Sequence, residues 1–70
     1  MEDLINHIKV ERAKMNITQE ELAEKVYVTR KTINTIETGK YIPSTTLALR
    51  LARFFKIPVE QLFELKEEKH

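Results

Sequence analysis

Residues 19–38, QEELAEKVYVTRKTINTIET, contain two short helical patterns separated by only about three residues, and this spacing constrains the fold more than any other feature. Thr18 and Thr29 stand where the two helices would begin, because a threonine hydroxyl accepts a hydrogen bond from a free amide of the first turn. Thr18 and Glu21 also have the spacing of a capping box. Two helices joined this closely are predicted to cross at roughly 90 to 120°.

A crossing at such an angle needs a small residue at the contact and apolar residues on both facing surfaces. Ala23 and Val26 on the first helix, and Ile33 and Ile36 on the second, meet this need. If the isoleucines face inward, the side chains on the opposite face of the second helix point to solvent. The pattern is that of a helix-turn-helix, and its outward side chains suit contacts with base edges and phosphates. The outward residues are Arg30, Lys31, Asn34 and Thr35.

Helical periodicity predicts one further helix before this pair. Leu4, Ile5, Ile8 and Met15 form an apolar stripe, so about the first fifteen residues are predicted to be one amphipathic helix. Asn16 tolerates the left-handed conformation that often follows a helix, and it is predicted to end this one.

Two more helices are predicted after the pair, beyond a stop at Gly39 and a loop that includes Pro43. The fourth helix is capped by Ser44, and its apolar residues are Leu47, Ala48, Leu51, Ala52, Phe54 and Phe55. A short fifth helix after Pro58 carries Val59, Leu62 and Phe63. The segment from Leu65 to His70 is predicted to fray, with a charged tail at about residues 66–70. The predicted fold class is therefore all-α, with five helices in one compact domain over residues 1–70.

The composition argues against several functional classes. Gly39 is the only glycine, which excludes glycine-rich loops that cradle phosphates, and there is no cysteine for a disulfide, a thiolate metal site or a nucleophile. His7 and His70 are the only histidines and lie far apart in the chain. No apolar run approaches the roughly 18 residues of a membrane span. We therefore expect a cytoplasmic protein that is not an enzyme, has no metal, cofactor or small-molecule ligand and does not bind membranes.

The net charge is only +1, but it is unevenly distributed. Residues 27–56 contain six Lys and Arg against Glu37 alone, which makes this stretch +5 (6 − 1), while the segments before and after it are each −2. A basic middle of the chain suggests a surface that faces a polyanion.

At this point the chain resembles the Xre family of small transcriptional regulators, which have a lambda-repressor-like, Cro/C1-type DNA-binding domain. The segments that carry the resemblance cover nearly the whole sequence: TQEELAEKV, VTRKTINTIETGKY and PSTTLALRLARFFKIPVEQLF. The motifs I-x-x-I-E-x-G-K-Y and P-S-x-x-x-A-x-x-x-A stand in the order and spacing of that family. The resemblance implies a sequence-specific transcriptional regulator of double-stranded DNA, with repression the expected effect.

The resemblance also assigns roles to individual residues. Those expected to contact bases are Arg30, Lys31, Asn34 and Thr35, with a phosphate contact the alternative for Arg30. Those expected to contact phosphates are Gln19, Thr29, Lys40, Tyr41 and Ser44, although Thr29 and Ser44 are needed as helix caps in any case. Arg12 and Glu37 match a structural ion pair between the first helix and the recognition helix.

The sequence departs from the family at three places where glycine is usual. Asn16 and Lys56 stand after the first and fourth helices, and Tyr27 stands in the turn between the second and third. A left-handed backbone at Tyr27 would cost roughly 1 to 2 kcal/mol unless packing of the ring compensates. Tyr27 is therefore either an exposed turn residue or a contact to DNA phosphate.

A homodimer on a pseudo-palindromic site is expected, because one recognition helix reads too few base pairs for high specificity. The end of the fourth helix and the fifth helix carry more apolar surface than one neighbouring helix can cover, and similar regulators make their subunit contact in this region. The alternative is that these side chains only close the core of one chain. An antitoxin or a protein-interaction adaptor of the same fold is the alternative function. The expected interface residues are Phe54, Phe55, Ile57, Val59, Leu62, Phe63 and Leu65.

Overall fold

A computed structural model describes residues 4–66 and shows five helices with a two-stranded sheet formed by the two ends of this range. The elements in chain order are β1 (Leu4–Asn6), α1 (Ile8–Met15), α2 (Gln19–Lys25), α3 (Arg30–Glu37), α4 (Thr45–Phe55), α5 (Val59–Leu62) and β2 (Phe63–Leu65). The fold is mostly helical, so the all-α prediction holds only approximately.

The predicted starts of α2, α3 and α4 are confirmed, and each has a local cause. In the capping box of α2, the amide of Glu21 donates to the Thr18 hydroxyl at 3.0 Å, and the Thr18 amide donates to the Glu21 carboxylate at 2.8 Å. Thr29 and Ser44 accept from the third amide of α3 and α4 at 3.2 and 3.1 Å. These bonds satisfy amides that have no partner within the helix.

The predicted ends of α1, α3 and α4 are also confirmed. Asn16 has φ 58° after α1, and Lys56 has φ 61° after α4. Gly39 has φ 80° just after α3, where a side chain would be strained. These three helices therefore end where the chain enters the left-handed region, which lets the following amides bond back to the last turn.

The first part of the chain differs from the prediction of one helix over about fifteen residues. Leu4–Asn6 form a strand that pairs antiparallel with Phe63–Leu65, with Leu4 opposite Leu65 and Asn6 opposite Phe63. The Asn6 side chain then accepts from the Ile8 amide at 3.2 Å and donates to the Ile36 carbonyl at 3.0 Å. Backbone pairing with a distant segment therefore overrides the local periodicity, and α1 begins only at Ile8. Met15, placed on the apolar stripe, is exposed.

The same sheet changes the end of the chain. Phe63 was predicted in the fifth helix but begins β2, and Leu65 was predicted to fray but lies in the strand. Of the predicted charged tail only Lys66 belongs to the described part; residues 67–70 lie outside it.

The core forms where the helices meet, and it has the composition that the spacing predicts. Ala23, Val26, Ile33 and Ile36 are buried at the crossing of α2 and α3. Helix α4 contributes its predicted face, with Leu47, Leu51, Ala52 and Phe55 buried, and Ala48 and Phe54 pack partly against them. Because the isoleucines of α3 are buried, the opposite face of that helix is presented to solvent.

Candidate nucleic-acid interface

The exposed face of α3 carries the four residues predicted to contact bases. Arg30, Lys31 and Asn34 are exposed, and Thr35 is half-buried. The Thr35 hydroxyl shares its one proton between the carbonyls of Lys31 and Thr32, at 3.0 and 2.9 Å, so its methyl group and the lone pairs of its oxygen are what it offers to a ligand. Arg30 and Lys31 form the first turn of the helix, where the helix dipole and free amides also favour an anion.

Two of the predicted phosphate-contact residues, Lys40 and Tyr41, lie beside this face. Lys31, Thr32, Thr35, Lys40 and Tyr41 line one open groove of about 290 Å³ beside α3, which brings base-contact and phosphate-contact candidates together. Thr29 and Ser44 are exposed and act as the caps of α3 and α4.

Arg12 and Glu37 are in contact, and they join α1 to the end of α3. The Arg12 guanidinium donates from Nε and Nη2 to the two carboxylate oxygens of Glu37 at 2.7 and 3.2 Å, and from Nη1 to the Ile17 carbonyl at 3.0 Å. The two side chains are only 15% and 6% exposed. The hydrogen bond to Glu37 raises the pKa of Arg12, and burial partly opposes that rise.

Gln19 extends this ion pair to the exposed face of α3, a link that sequence reasoning missed. Its amide Nε2 donates to Glu37 at 3.0 Å and to the Asn34 side-chain oxygen at 3.2 Å, and its Oε1 accepts from Arg30 at 3.4 Å. Asn34 and Glu37 are three residues apart, so they share a helix face, and this was the one available signal. The bonds hold the side chains of Arg30 and Asn34 in place at the surface.

Tyr27 adopts the left-handed conformation in the turn between α2 and α3, with φ 65°. The residue is 79% exposed, so core packing does not compensate for the strain of roughly 1 to 2 kcal/mol. The Arg50 guanidinium lies 5.4 Å from the centroid of the Tyr27 ring. This cation–π contact offsets part of the backbone strain. This contact between the turn and α4 was not predicted.

The seven residues predicted at a subunit interface fall into two groups. Phe55, Leu62 and Phe63 are buried in the core of the single chain. Phe54, Ile57 and Val59 are half-buried, and Leu65 is 78% exposed. Only the second group has apolar surface to offer a second copy.

Similarity to known proteins agrees with this geometry. The Helix-turn-helix family model HTH_3 matches residues 8–62. The uncharacterised HTH-type transcriptional regulator MJ0272 of Methanocaldococcus jannaschii is 46% identical over 63 residues, which cover 90% of this chain and 96% of that protein. An uncharacterised HTH-type transcriptional regulator of Archaeoglobus fulgidus is 52% identical over 61 residues, covering 87% and 86%.

A crystal structure of a protein from Bacteroides fragilis superposes with a TM-score of 0.78 at 28% identity, over 87% of this chain and 98% of that one. The chain therefore belongs to the Cro/C1-type helix-turn-helix family and is an Xre-like transcriptional regulator with a helix-turn-helix DNA-binding domain.

Two negative findings concern residues 4–66 alone. Within this range, no three His, Asp or Glu side chains are grouped so that they could hold a metal ion. None of the helices described there is long and apolar enough to cross a membrane.

Proposed function

We propose that this protein is a cytoplasmic, sequence-specific repressor that binds a pseudo-palindromic operator as a homodimer. The observation that carries the proposal is the exposed face of α3, where Arg30 and Asn34 are held by Gln19, which is itself bonded to the Arg12–Glu37 pair. Side chains held in place before binding lose less entropy on contact with bases. Arg30 can donate two bonds to the O6 and N7 atoms of a guanine, and Asn34 can pair with an adenine.

Selection of bound sequences from random duplex DNA tests the specificity. We expect an enriched motif with two inverted half-sites, since a twofold dimer places its recognition helices about one turn of DNA apart, roughly 34 Å. Fluorescence anisotropy on the selected duplex then measures the salt dependence. With about six to eight phosphates neutralised per dimer, log K should fall against log salt with a slope near −5 to −7. No enrichment, or a flat salt response, would contradict the proposal.

Arg30→Ala tests the role of the first residue of α3. We expect a loss of roughly 1 to 3 kcal/mol on the selected site and relaxed preference at one base pair of each half-site. Lys9→Ala is the matched control, because Lys9 is an exposed cation on α1. If Arg30→Ala weakens binding equally on all sequences, Arg30 contacts only phosphate.

The dimer is supported by the apolar surface of Phe54, Ile57, Val59 and Leu65 and by the limited number of base pairs that one helix can read. Sedimentation at micromolar concentration should show a dimer. Leu65→Lys should weaken it, while Leu49→Lys, at an exposed apolar residue on α4, should not. A monomer that fills the two half-sites independently would contradict the dimer.

Repression is the expected effect of a compact domain seated on a promoter, because it occupies sites that a polymerase needs. A reporter placed behind the selected sequence should lose expression when the protein is supplied. Increased expression would show an activator with the same DNA contacts.

A further inference from the structure

A second basic surface adjoins the turn between α2 and α3 and contains none of the residues assigned to base contacts. A cleft of about 300 Å³ is lined by Lys25, Tyr27, Arg50, Arg53 and Phe54, and we call it the α2–α4 cleft. It shares no lining residue with the groove beside α3. Along α2, about 9 Å of helix separates Lys25 from Gln19, and Tyr27 stands three residues before Arg30.

The cations of the α2–α4 cleft have no acidic partner in the described part of the chain. No ion pair within 4 Å joins Lys25, Arg50 or Arg53 to a carboxylate of residues 4–66. Arg50 and Arg53 are three residues apart on α4, so both project from one side of that helix. The side chains therefore form a positive site that is open to an external anionic group.

The cleft also has an apolar component. The exposed ring of Tyr27 stands at one wall with Arg50 against its face, and half-buried Phe54 lines it as well. Glycine would relieve the left-handed backbone at position 27, and the tyrosine ring contributes little to the core. Its contribution is therefore to the surface, as one side of an amphipathic cleft.

We propose that the α2–α4 cleft binds an acidic segment of a protein partner, in which carboxylates flank an aliphatic or aromatic side chain. The carboxylates meet Lys25, Arg50 and Arg53, and the apolar side chain meets the ring of Tyr27. Duplex DNA offers phosphates without apolar side chains, so it fits the mixed lining less well than such a peptide does. Partner binding at this cleft leaves the exposed face of α3 free for DNA.

The test uses the full chain labelled with ¹⁵N, alone and bound to its selected duplex. The probe is a synthetic peptide in which aspartates alternate with leucine and phenylalanine, and polyaspartate of the same length is the comparison. We expect amide shifts centred on Lys25, Tyr27, Arg50 and Arg53 with both free and DNA-bound protein, and weaker binding of polyaspartate. Shifts spread over the basic surface, or displacement of the peptide by DNA, would overturn the proposal.

Paired variants separate this site from the DNA interface. The double variant Arg50→Gln with Arg53→Gln should lower the affinity for the peptide about tenfold and leave the affinity for DNA unchanged. The control variant Lys9→Gln with Lys66→Gln removes the same charge from exposed positions elsewhere. It should change neither the peptide affinity nor the DNA affinity. Tyr27→Gly removes the ring while permitting the turn. It should lower the affinity for the peptide with leucine and phenylalanine more than the affinity for polyaspartate.

Other outcomes assign the cleft differently. A loss of DNA affinity in the arginine variant but not in its control would make the cleft a phosphate contact. Altered sedimentation of that variant would place a second copy there. Either result overturns the protein-partner proposal. Failure of the wild-type chain to bind DNA would refute the proposed function, but the peptide titration of the free protein would still test the cleft.

Discussion

The α2–α3 helix pair and the β1–β2 strand pair are stabilised in different ways. The helix pair is specified by residues close in sequence: Thr18 bonds to Glu21, and Thr29 bonds to the amide three residues on. The strand pair joins residues 4–6 to residues 63–65, almost the whole chain apart, and it has no local signal. Elements with local determinants can be predicted from sequence, whereas those that depend on a distant partner are visible only in the fold.

The largest expected effect contrasts a buried isoleucine of the helix pair with an exposed isoleucine of the strand pair. Ile33→Ala removes a fully buried side chain from α3 and should lower the free energy of unfolding by about 2 to 5 kcal/mol. Ile5→Ala, in partly exposed β1, should cost under about 1 kcal/mol. Urea unfolding measures both. Equal losses would show that the strand pair contributes as much to stability as the helix crossing.

The next effect concerns the ion pair that joins α1 to α3. Arg12→Met leaves the nearly buried Glu37 carboxylate with only the Gln19 amide as a side-chain partner, which should cost about 3 kcal/mol of unfolding free energy. Adding Glu37→Gln removes the unpaired charge and should restore most of the loss. A double variant as unstable as the single one would mean that the geometry of the pair, and not the unpaired charge, carries the energy.

Removal of a local signal should have a smaller effect. Thr18→Ala deletes one half of the capping box and should cost about 1 kcal/mol in thermal or urea unfolding. Thr46→Ala is the control, because Thr46 is exposed inside α4 and caps no helix. Equal stability of the two variants would show that tertiary contacts alone define the start of α2.

The smallest effect separates two strained turns. Lys56→Gly should stabilise the chain by up to about 1 kcal/mol, because glycine adopts the left-handed backbone without strain. Tyr27→Gly should stabilise the chain less than Lys56→Gly does, because it also removes the cation–π contact with Arg50. The difference should be roughly 0.5 to 1 kcal/mol.

In an Arg50→Ala background the two glycine substitutions should become equivalent in urea unfolding. If a difference persists, the Tyr27 ring contributes to the free energy of unfolding through a contact other than the one with Arg50.

Much of the interface could also be predicted from sequence. Burial of Ile33 and Ile36 follows from helical spacing, and it places Arg30, Lys31 and Asn34 on the solvent side. Their connection through Gln19 could not be predicted, because it depends on how α2 and α3 cross. The contact of Arg50 with Tyr27 has the same origin, since it joins a turn to a helix more than twenty residues away.

The amino-acid sequence by itself determined the five helices, most of their caps and ends, the buried face of α3 and the family. Each of these features depends on residues within a few positions of one another. Their capping bonds and helical spacing give the same result wherever the apolar face is buried. Only the tertiary structure decided that residues 4–6 form a strand and that Phe55, Leu62 and Phe63 belong to the core of a single chain. Those outcomes depend on backbone pairing and packing between segments distant in sequence, and local propensity does not encode them.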